Sequence, residues 1–188
     1  MAAEQACRKT EAEVVGPFYR FGAPFNAKLA GPDEPGQRLI VSGTVFGPDC
    51  KTPLPGTLID IWQANDAGVY DTATPGNFTE EVDFHLRGML YTDEQGQYEI
   101  ETIVPGRYPL PPGLPGLEEY AGLTRPAHIH LTLMHSLHVP VTTQLYFAGD
   151  PYINDDPWAS RKPSLAMEVA EDGDVQRANF DFVLGSGL

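Results

Sequence analysis

Glycine and proline interrupt this chain so often that a helical fold is disfavoured. The sequence of 188 residues contains 19 glycines and 18 prolines, and no collagen-like period organises them. These two residue types form turns and end regular elements, so they divide the chain into many short segments. The pattern favours a β architecture.

The segments between these turns have the composition of β-strands. Each is short and carries β-branched or aromatic residues. The predicted strands are 38–46, 58–63, 89–92, 97–102, 128–135, 141–147, 165–169 and 177–184. Short strands at this spacing predict an all-β fold, a β-sandwich of mixed sheets with long active-site loops and an irregular N-terminal arm.

The length of the chain is that expected for one structural domain. We predict an N-terminal arm at 1–36, where Thr10 and Glu13 resemble a helix capping box, and a sandwich domain at 37–188. Two loops are long, 71–85 and 105–124, and each begins at or beside a tyrosine. Long loops in a compact domain often form a binding surface.

Charge and hydropathy exclude several classes of protein. The formal net charge of -14 argues against nucleic-acid binding, which needs a basic surface. No apolar run approaches the roughly 20 residues that span a bilayer, so no membrane partner is expected. Residues 1–10 lack the apolar core of a signal peptide, so the default expectation is a cytoplasmic protein.

Cys7 and Cys50 are the only cysteines in the sequence. Two thiols far apart in sequence are usually unrelated and free. The alternative is one disulfide that ties the N-terminal arm to the loop after the first strand, which would indicate an exported protein.

His128 and His130 are candidates for metal ligands. Side chains alternate between the two faces of a strand, so both imidazoles lie on one face and Ile129 on the other. Two imidazoles at this spacing can reach one metal ion. Two histidines satisfied by ordinary hydrogen bonds would show the same spacing.

Tyr70 and Tyr108 extend this candidate site, since Tyr70 follows a strand and Tyr108 lies in a proline-rich loop. Taken singly, each is better explained as a packing tyrosine or as a tyrosine with its hydroxyl at the surface. A phenolate is a hard oxygen donor that needs stabilisation at neutral pH, because its ordinary pKa is about 10. Trivalent iron stabilises phenolate, so two phenolates with two imidazoles would suit Fe(III) better than zinc or magnesium.

Residues 39–152 resemble the intradiol ring-cleavage dioxygenases, the family of catechol 1,2-dioxygenase and protocatechuate 3,4-dioxygenase. Ordered motifs over more than half of the chain carry this resemblance. They are 16–19 (GPFY), 62–65 (WQAN) with 68–70 (GVY), 86–88 (LRG), 92–93 (TD) with 96–98 (GQY), 102–109 (TIVPGRYP), 125–130 (RPAHIH), 143–147 (TQLYF) and 149–151 (GDP).

The resemblance implies a non-haem Fe(III) site with Tyr70, Tyr108, His128 and His130 as ligands. It also implies a small aromatic diol and O2 as reactants, with both oxygen atoms inserted and the ring cleaved between its hydroxylated carbons. The product would be a cis,cis-muconate, as in the catabolism of aromatic hydrocarbons. Tyr70 would be the axial phenolate that the substrate displaces and that takes a substrate proton.

Arg125 and Gln144 match two further positions of the family. Arg125 would stabilise negative charge on the ring, and Gln144 would orient the substrate or a nearby histidine. A surface salt bridge for Arg125 and a solvent-facing position for Gln144 are the alternatives. His85, His135 and His138 match no ligand position and are predicted to be structural or exposed.

The chain also departs from both named enzymes. It has no room before Leu39 for the helical dimerisation region of catechol 1,2-dioxygenases, although a homo-oligomer stays open. Leu110 stands where protocatechuate enzymes place a tryptophan. We therefore expect a roomier and more apolar substrate pocket, shaped by Phe18, Tyr19, Leu110 and the 71–85 loop.

Two other functions are compatible with parts of this pattern. One is a metal-dependent hydrolase or cupin-like oxygenase that uses only the two histidines. Such a site normally adds a carboxylate, and none stands at matching spacing. The other is a non-catalytic immunoglobulin-like binding module, in which the tyrosines and histidines are structural.

Overall fold

A computed structural model describes residues 7–72, 75–77, 79 and 83–187. In this part of the chain the regular elements are strands and three 3-10 helices of one turn each, at Glu118–Tyr120, Ala159–Arg161 and Pro163–Leu165. None of the described helices has the length and apolar character needed to cross a membrane. In chain order the strands are β1 (Arg38–Phe46), β2 (Leu58–Gln63), β3 (Arg87–Tyr91), β4 (Gln97–Ile103), β5 (Tyr108–Pro109), β6 (Thr124–Arg125), β7 (His128–Met134), β8 (His138–Val139), β9 (Val141–Phe147), β10 (Ala166–Met167), β11 (Val169–Asp172), β12 (Val175–Asn179), β13 (Phe182–Val183) and β14 (Gly185–Ser186).

The strands form two mixed sheets of five strands each. In the first sheet, β1 pairs antiparallel with β4 on one side and parallel with β12 and β13 on the other, and β11 extends the sheet beyond β12. The second sheet has the order β10-β9-β7-β2-β3 and is antiparallel except for the β10–β9 pair. The pairs β5–β6 and β8–β14 form two small additional sheets. This arrangement confirms the predicted all-β sandwich.

The main hydrophobic core lies between the two large sheets. β1 contributes Leu39 and Val41, and β7 contributes Ile129, Leu131 and Leu133, all almost fully buried. Because the core takes alternate residues of β7, the remaining residues of that strand lie on the outer face of the second sheet. The candidate site lies on that outer face.

Two of the strands predicted as continuous are each interrupted in the structure, so these two predictions are wrong. The segment 165–169 is divided between β10 and β11, and the segment 177–184 is divided between β12 and β13. The second break lies where the chain crosses Gly43 of β1, since a Cβ added there would lie only 2.0 Å from the Phe180 carbonyl oxygen. The other predicted strands agree with the observed ones within two residues.

The described part of the N-terminal arm lies along the sandwich without forming a helix. The Thr10 hydroxyl accepts a hydrogen bond from the Val183 backbone N–H at 2.8 Å, and the Glu13 backbone N–H donates to the Thr142 carbonyl at 2.8 Å. The predicted capping box is therefore wrong, because these hydrogen bonds join the arm to β13 and β9 and do not form a helical turn. The division of the chain at residue 36 stays a prediction.

Cys7 and Cys50 form a disulfide, with their Cα atoms 5.7 Å apart. The bond ties the N-terminal arm to the loop that follows β1. The interpretation of the two cysteines as unrelated free thiols is therefore wrong. The fold brings together two positions that are 43 residues apart in sequence.

Candidate functional site

Three neighbouring strands of the second sheet form the floor of the site. The register places Trp62 of β2 beside His130 of β7, and His130 beside Gln144 of β9. His128 is paired in the same way with Tyr146. All five side chains are at most 2% exposed. The Trp62 ring stacks on the His130 imidazole, with the ring centroids 4.8 Å apart and the planes at 8°.

Tyr70 and Tyr108 lie over this floor. Their rings contact each other edge to face with centroids 5.5 Å apart. The Tyr108 ring lies 5.6 Å from the His128 ring, and the Tyr70 ring lies 6.2 Å from the His130 ring. The structure therefore brings the four predicted ligands together, although their binding of a metal stays a prediction.

Two glycines allow the loops that carry these tyrosines to meet. A Cβ added at Gly68 would lie 2.2 Å from the Arg107 carbonyl oxygen, and one added at Gly106 would lie 2.3 Å from the Asp66 carbonyl oxygen. Side chains at these positions would clash with the backbone. The glycines of the GVY and PGRY segments therefore let the two tyrosines approach each other.

A buried ion cluster holds Asp71, the residue that follows Tyr70. Asp71 accepts hydrogen bonds from Arg87 Nε at 2.8 Å and from Arg20 Nη1 at 3.0 Å. Arg87 Nη2 also donates to the carbonyl oxygen of Phe18 at 2.5 Å. Both arginines are almost fully buried, so the cluster holds the residue after Tyr70 firmly against the N-terminal arm.

Without a bound cation, burial keeps the four candidate ligands uncharged at neutral pH. It raises the pKa of both tyrosines, and the Arg125 guanidinium counteracts this only in part. It lowers the pKa of His128 to about 3, with the charge of Arg125 as a further cause. Burial and then the neighbouring His128 hold the pKa of His130 well below its usual range. A bound cation would favour the ionised form of the two tyrosines and would bind the lone pairs of the neutral imidazoles.

The hydrogen bonds at the site fit a bound cation. His128 Nδ1 lies 2.7 Å from the Pro126 carbonyl oxygen, so it donates there and leaves the lone pair on Nε2. That atom lies 3.1 Å from His130 Nε2 and 3.5 Å from the Tyr108 hydroxyl. Two ligands at right angles, each about 2.1 Å from one metal ion, are about 3 Å apart. No hydrogen bond satisfies the buried Tyr70 hydroxyl within the described residues, and coordination of its oxygen to a metal ion would satisfy it.

Arg125 and Gln144 lie beside this group and are buried, which rules out the exposed alternatives. Arg125 Nη2 donates to Gln144 Oε1 at 3.0 Å, and Arg125 Nε donates to Asp156 Oδ2 at 2.5 Å. Gln144 Nε2 in turn donates to the Val14 carbonyl oxygen at 2.8 Å. Both side chains are therefore fixed by hydrogen bonds at the edge of the candidate ligand set.

Sequence reasoning missed four polar residues of this network. The Tyr146 hydroxyl lies 2.9 Å from Glu13 Oε2, and Lys162 Nζ lies 2.5 Å from Glu13 Oε1. Asp156 holds Arg125. Strand alternation could have identified Tyr146, because it shares a face of β9 with Gln144. Glu13, Asp156 and Lys162 reach the site only through long-range folding and carry no local signal.

The predicted pocket residues occupy different places. Phe18 stacks on the Tyr70 ring with centroids 4.3 Å apart. The Tyr19 hydroxyl donates to Asp60 Oδ2 at 2.8 Å. Leu110 is buried, and its backbone N–H donates to the Leu123 carbonyl. Residues 73, 74, 78 and 80–82 of the 71–85 loop lie outside the described residues, so the part of the prediction that concerns them is not tested.

The other histidines lie apart from the candidate ligands. His85 is exposed and pairs with Glu34 at 2.7 Å. The Nδ1 atoms of His135 and His138 lie 2.8 Å apart in the turn between β7 and β8. These contacts agree with the predicted structural or exposed roles.

A site of two histidines with a carboxylate finds no support. Within the described ranges, no group of three or more His, Cys, Asp or Glu side chains is arranged to hold a metal.

Known dioxygenases resemble this chain over most of its length. The Dioxygenase family model matches residues 14–186. Catechol 1,2-dioxygenase of Acinetobacter baylyi is 36% identical over 184 residues, which are 94% of this chain and 58% of that protein. The chain thus spans less than two thirds of the length of that relative.

Two solved structures share the fold and part of the sequence. One is the dioxygenase domain of a dioxygenase carbohydrate-binding protein fusion from the cellulolytic bacterium Streptomyces sp. SirexAA-E. It has a TM-score of 0.77 and 34% identity, and the match covers 96% of this chain and 100% of that one. The other is 3-chlorocatechol 1,2-dioxygenase from Rhodococcus opacus, with a TM-score of 0.81, 29% identity and coverage of 96% and 74%.

The low pKa of His128 predicts that acid destabilises the metal-free protein. Its pKa is about 3 in the folded state against 6.5 ordinarily, so the unfolded chain binds more protons between these values. Stability therefore rises with pH across this window, by up to about 1.4 kcal/mol per pH unit for one such histidine. Urea unfolding at about pH 5 and about pH 7 measures the difference. His128→Gln should reduce it, and an unchanged difference in this variant would contradict the assignment.

Proposed function

The chain belongs to the intradiol ring-cleavage dioxygenase family, and from this membership we propose that it cleaves a catechol-type substrate between the two hydroxylated carbons. Both atoms of O2 enter the product, a cis,cis-muconate. The observation that carries the proposal is the convergence of two phenols and two neutral imidazoles at one buried place. A non-catalytic module has no need of such a group.

The cofactor of the proposed reaction is non-haem Fe(III), held by Tyr70, Tyr108, His128 and His130. Two phenol oxygens beside two imidazole nitrogens are a donor set suited to a hard trivalent ion. When bound, the ferric ion would be chelated by the two oxygens of the catecholate and would draw electron density from its ring. The lone pair of His128 Nε2 is already directed into the site by the hydrogen bond from Nδ1 to Pro126.

Tyr70 has a second role in this proposal, as the base for a substrate proton. The burial that raises its pKa makes its phenolate a strong base. Iron binding would leave Tyr70 as a phenolate, and this oxygen would take a proton from a catechol hydroxyl and become the neutral phenol that burial favours. Phe18, stacked on the Tyr70 ring, helps to exclude water from this proton transfer.

Arg125 stabilises the negative charge that develops on the substrate ring. A buried guanidinium acts strongly because little water screens it. Gln144 accepts one hydrogen bond from Arg125 and donates another to the Val14 carbonyl. Gln144 thereby fixes the edge of the site nearest the N-terminal arm and orients groups beside the histidines.

The substrate of this proposal is an uncharged catechol bound in an apolar pocket with Phe18, Tyr19 and Leu110 in its walls. Leu110 and Phe18 are buried apolar side chains, and Phe18 contacts both candidate tyrosine ligands. The net charge of -14 also repels anionic substrates. Association of the chain into a homo-oligomer stays a prediction.

Export of the protein is proposed on the basis of the Cys7–Cys50 disulfide. Disulfides form and persist in oxidising compartments and are rare in the cytosol. Fractionation of producing cells, with the thiols blocked at lysis, tests this proposal. Native protein recovered outside the cytosol with the bond formed would support export. Cytosolic protein with both thiols reduced would contradict it.

Turnover in isotopically labelled dioxygen tests the reaction. The iron-loaded protein should convert catechol to cis,cis-muconate that carries two labelled oxygen atoms. Tyr108→Phe removes a candidate ligand and should lower turnover by at least about 100-fold. Tyr98→Phe is the matched control, because Tyr98 is also a buried tyrosine but donates to Phe180. A product with one label, or one cleaved beside the diol, would contradict the proposal.

The same assay tests the pocket. The rate with catechol should exceed the rate with protocatechuate, whose carboxylate would enter an apolar pocket unpaired. Hydroxyquinol serves as an uncharged comparison. A strong preference for protocatechuate would overturn the apolar-pocket proposal without affecting the assignment of the reaction.

A further inference from the structure

The orientation of Arg125 depends on a contact outside the candidate ligand set. The guanidinium of Arg125 is almost fully buried and lies over the Trp158 ring, with Cζ 4.6 Å from the ring centroid. Arg125 Nη2 donates a hydrogen bond to Gln144 Oε1 at 3.0 Å, and Arg125 Nε donates one to Asp156 Oδ2 at 2.5 Å. A guanidinium has a rigid planar shape, so partners on two edges and one face determine its plane.

Asp156 is itself fixed by the backbone. Its side chain is completely buried. Oδ1 accepts hydrogen bonds from the backbone N–H groups of Trp158 at 3.0 Å and Ala159 at 2.8 Å. The Asp156 carbonyl oxygen also accepts from the Ser160 hydroxyl at 2.6 Å. Each carboxylate oxygen thus has a separate role, since Oδ1 holds the turn and Oδ2 holds Arg125.

The same turn supplies both the ion-pair partner and the stacking partner of Arg125. Asp156 and Trp158 are two residues apart, and the Asp156–Trp158 hydrogen bond sets the position of one relative to the other. The turn packs near the site through Ala159, which belongs to a buried cluster with Tyr146 and Leu165. The guanidinium therefore cannot rotate about Nε without breaking a short, buried, charge-assisted hydrogen bond.

We propose that Asp156 is the positioning residue for Arg125 in the intradiol reaction. This inference rests on the proposed function, because Arg125 acts there on the charge of the substrate ring. Asp156 contacts neither candidate iron ligands nor substrate in this scheme. It holds the guanidinium plane in the one orientation that also satisfies Gln144.

Asp156→Asn tests this inference with little change in shape. The amide oxygen still accepts from the turn, but the amide NH2 then faces the Arg125 Nε–H, and two donors oppose each other. We expect kcat to fall on the order of 10- to 100-fold, with KM nearly unchanged. Asp155→Asn is the matched control, since Asp155 is the neighbouring, exposed carboxylate. It should keep the wild-type kcat.

Three further tests separate positioning from a general loss of structure. The iron content and the visible absorption of Asp156→Asn should match the wild type, because no candidate ligand is changed. In an Arg125→Gln background, adding Asp156→Asn should change kcat less than about twofold, since a residue that acts through Arg125 has no further effect there. The Arg125 Nε–H proton should exchange with solvent faster in Asp156→Asn. This exchange rate reports on the hydrogen bond between Arg125 and Asp156 without any turnover.

The outcomes distinguish this inference from the proposed function. Active wild type with an Asp156→Asn variant that behaves like Asp155→Asn would overturn the role of Asp156 and leave the reaction intact. Equal losses from Asp156→Asn with and without Arg125 would also overturn it. A wild type that holds iron but turns over no catechol would refute the proposed function, and the inference with it.

Discussion

On β7, Ile129 and Leu131 point into the core while His128 and His130 point away from it, and the floor of the site follows from this alternation. The core determines the register of the strand, because a shift by one residue would bury both imidazoles between the sheets. Pairing with β2 and β9 then places aromatic and amide side chains on either side of the histidines. The packing that stabilises the sandwich thus also builds the floor of the site.

The rest of the site is brought over this floor by loops and by the N-terminal arm. Gly68 and Gly106 let the two tyrosine loops approach within contact distance. Phe18 from the arm covers Tyr70, and the arm is tied down by the Cys7–Cys50 disulfide. Burial under this cover keeps phenols protonated and imidazoles neutral in the absence of a cation. The result is a dry group of donors with buried arginine charge beside it.

Local patterns in the sequence predict the parts of this structure that depend on local chemistry. Three strands, 38–46, 58–63 and 141–147, agree with the observed bounds because composition and turns define both ends. The convergence of the four candidate ligands was expected only through family resemblance, since 60 residues separate Tyr70 from His130. The disulfide, Asp156 and the break between β12 and β13 depend on contacts between distant segments. No local propensity encodes such contacts.

We propose that two tyrosines and two histidines of this chain hold one ferric ion to which a catechol binds. The visible spectrum of the iron-loaded protein tests it most directly, recorded before and after anaerobic addition of catechol, with iron determined in parallel. We expect about one iron per chain, a broad visible band from tyrosinate-to-iron charge transfer, and a shift of that band with catechol. A protein that stays colourless after ferric loading would contradict it.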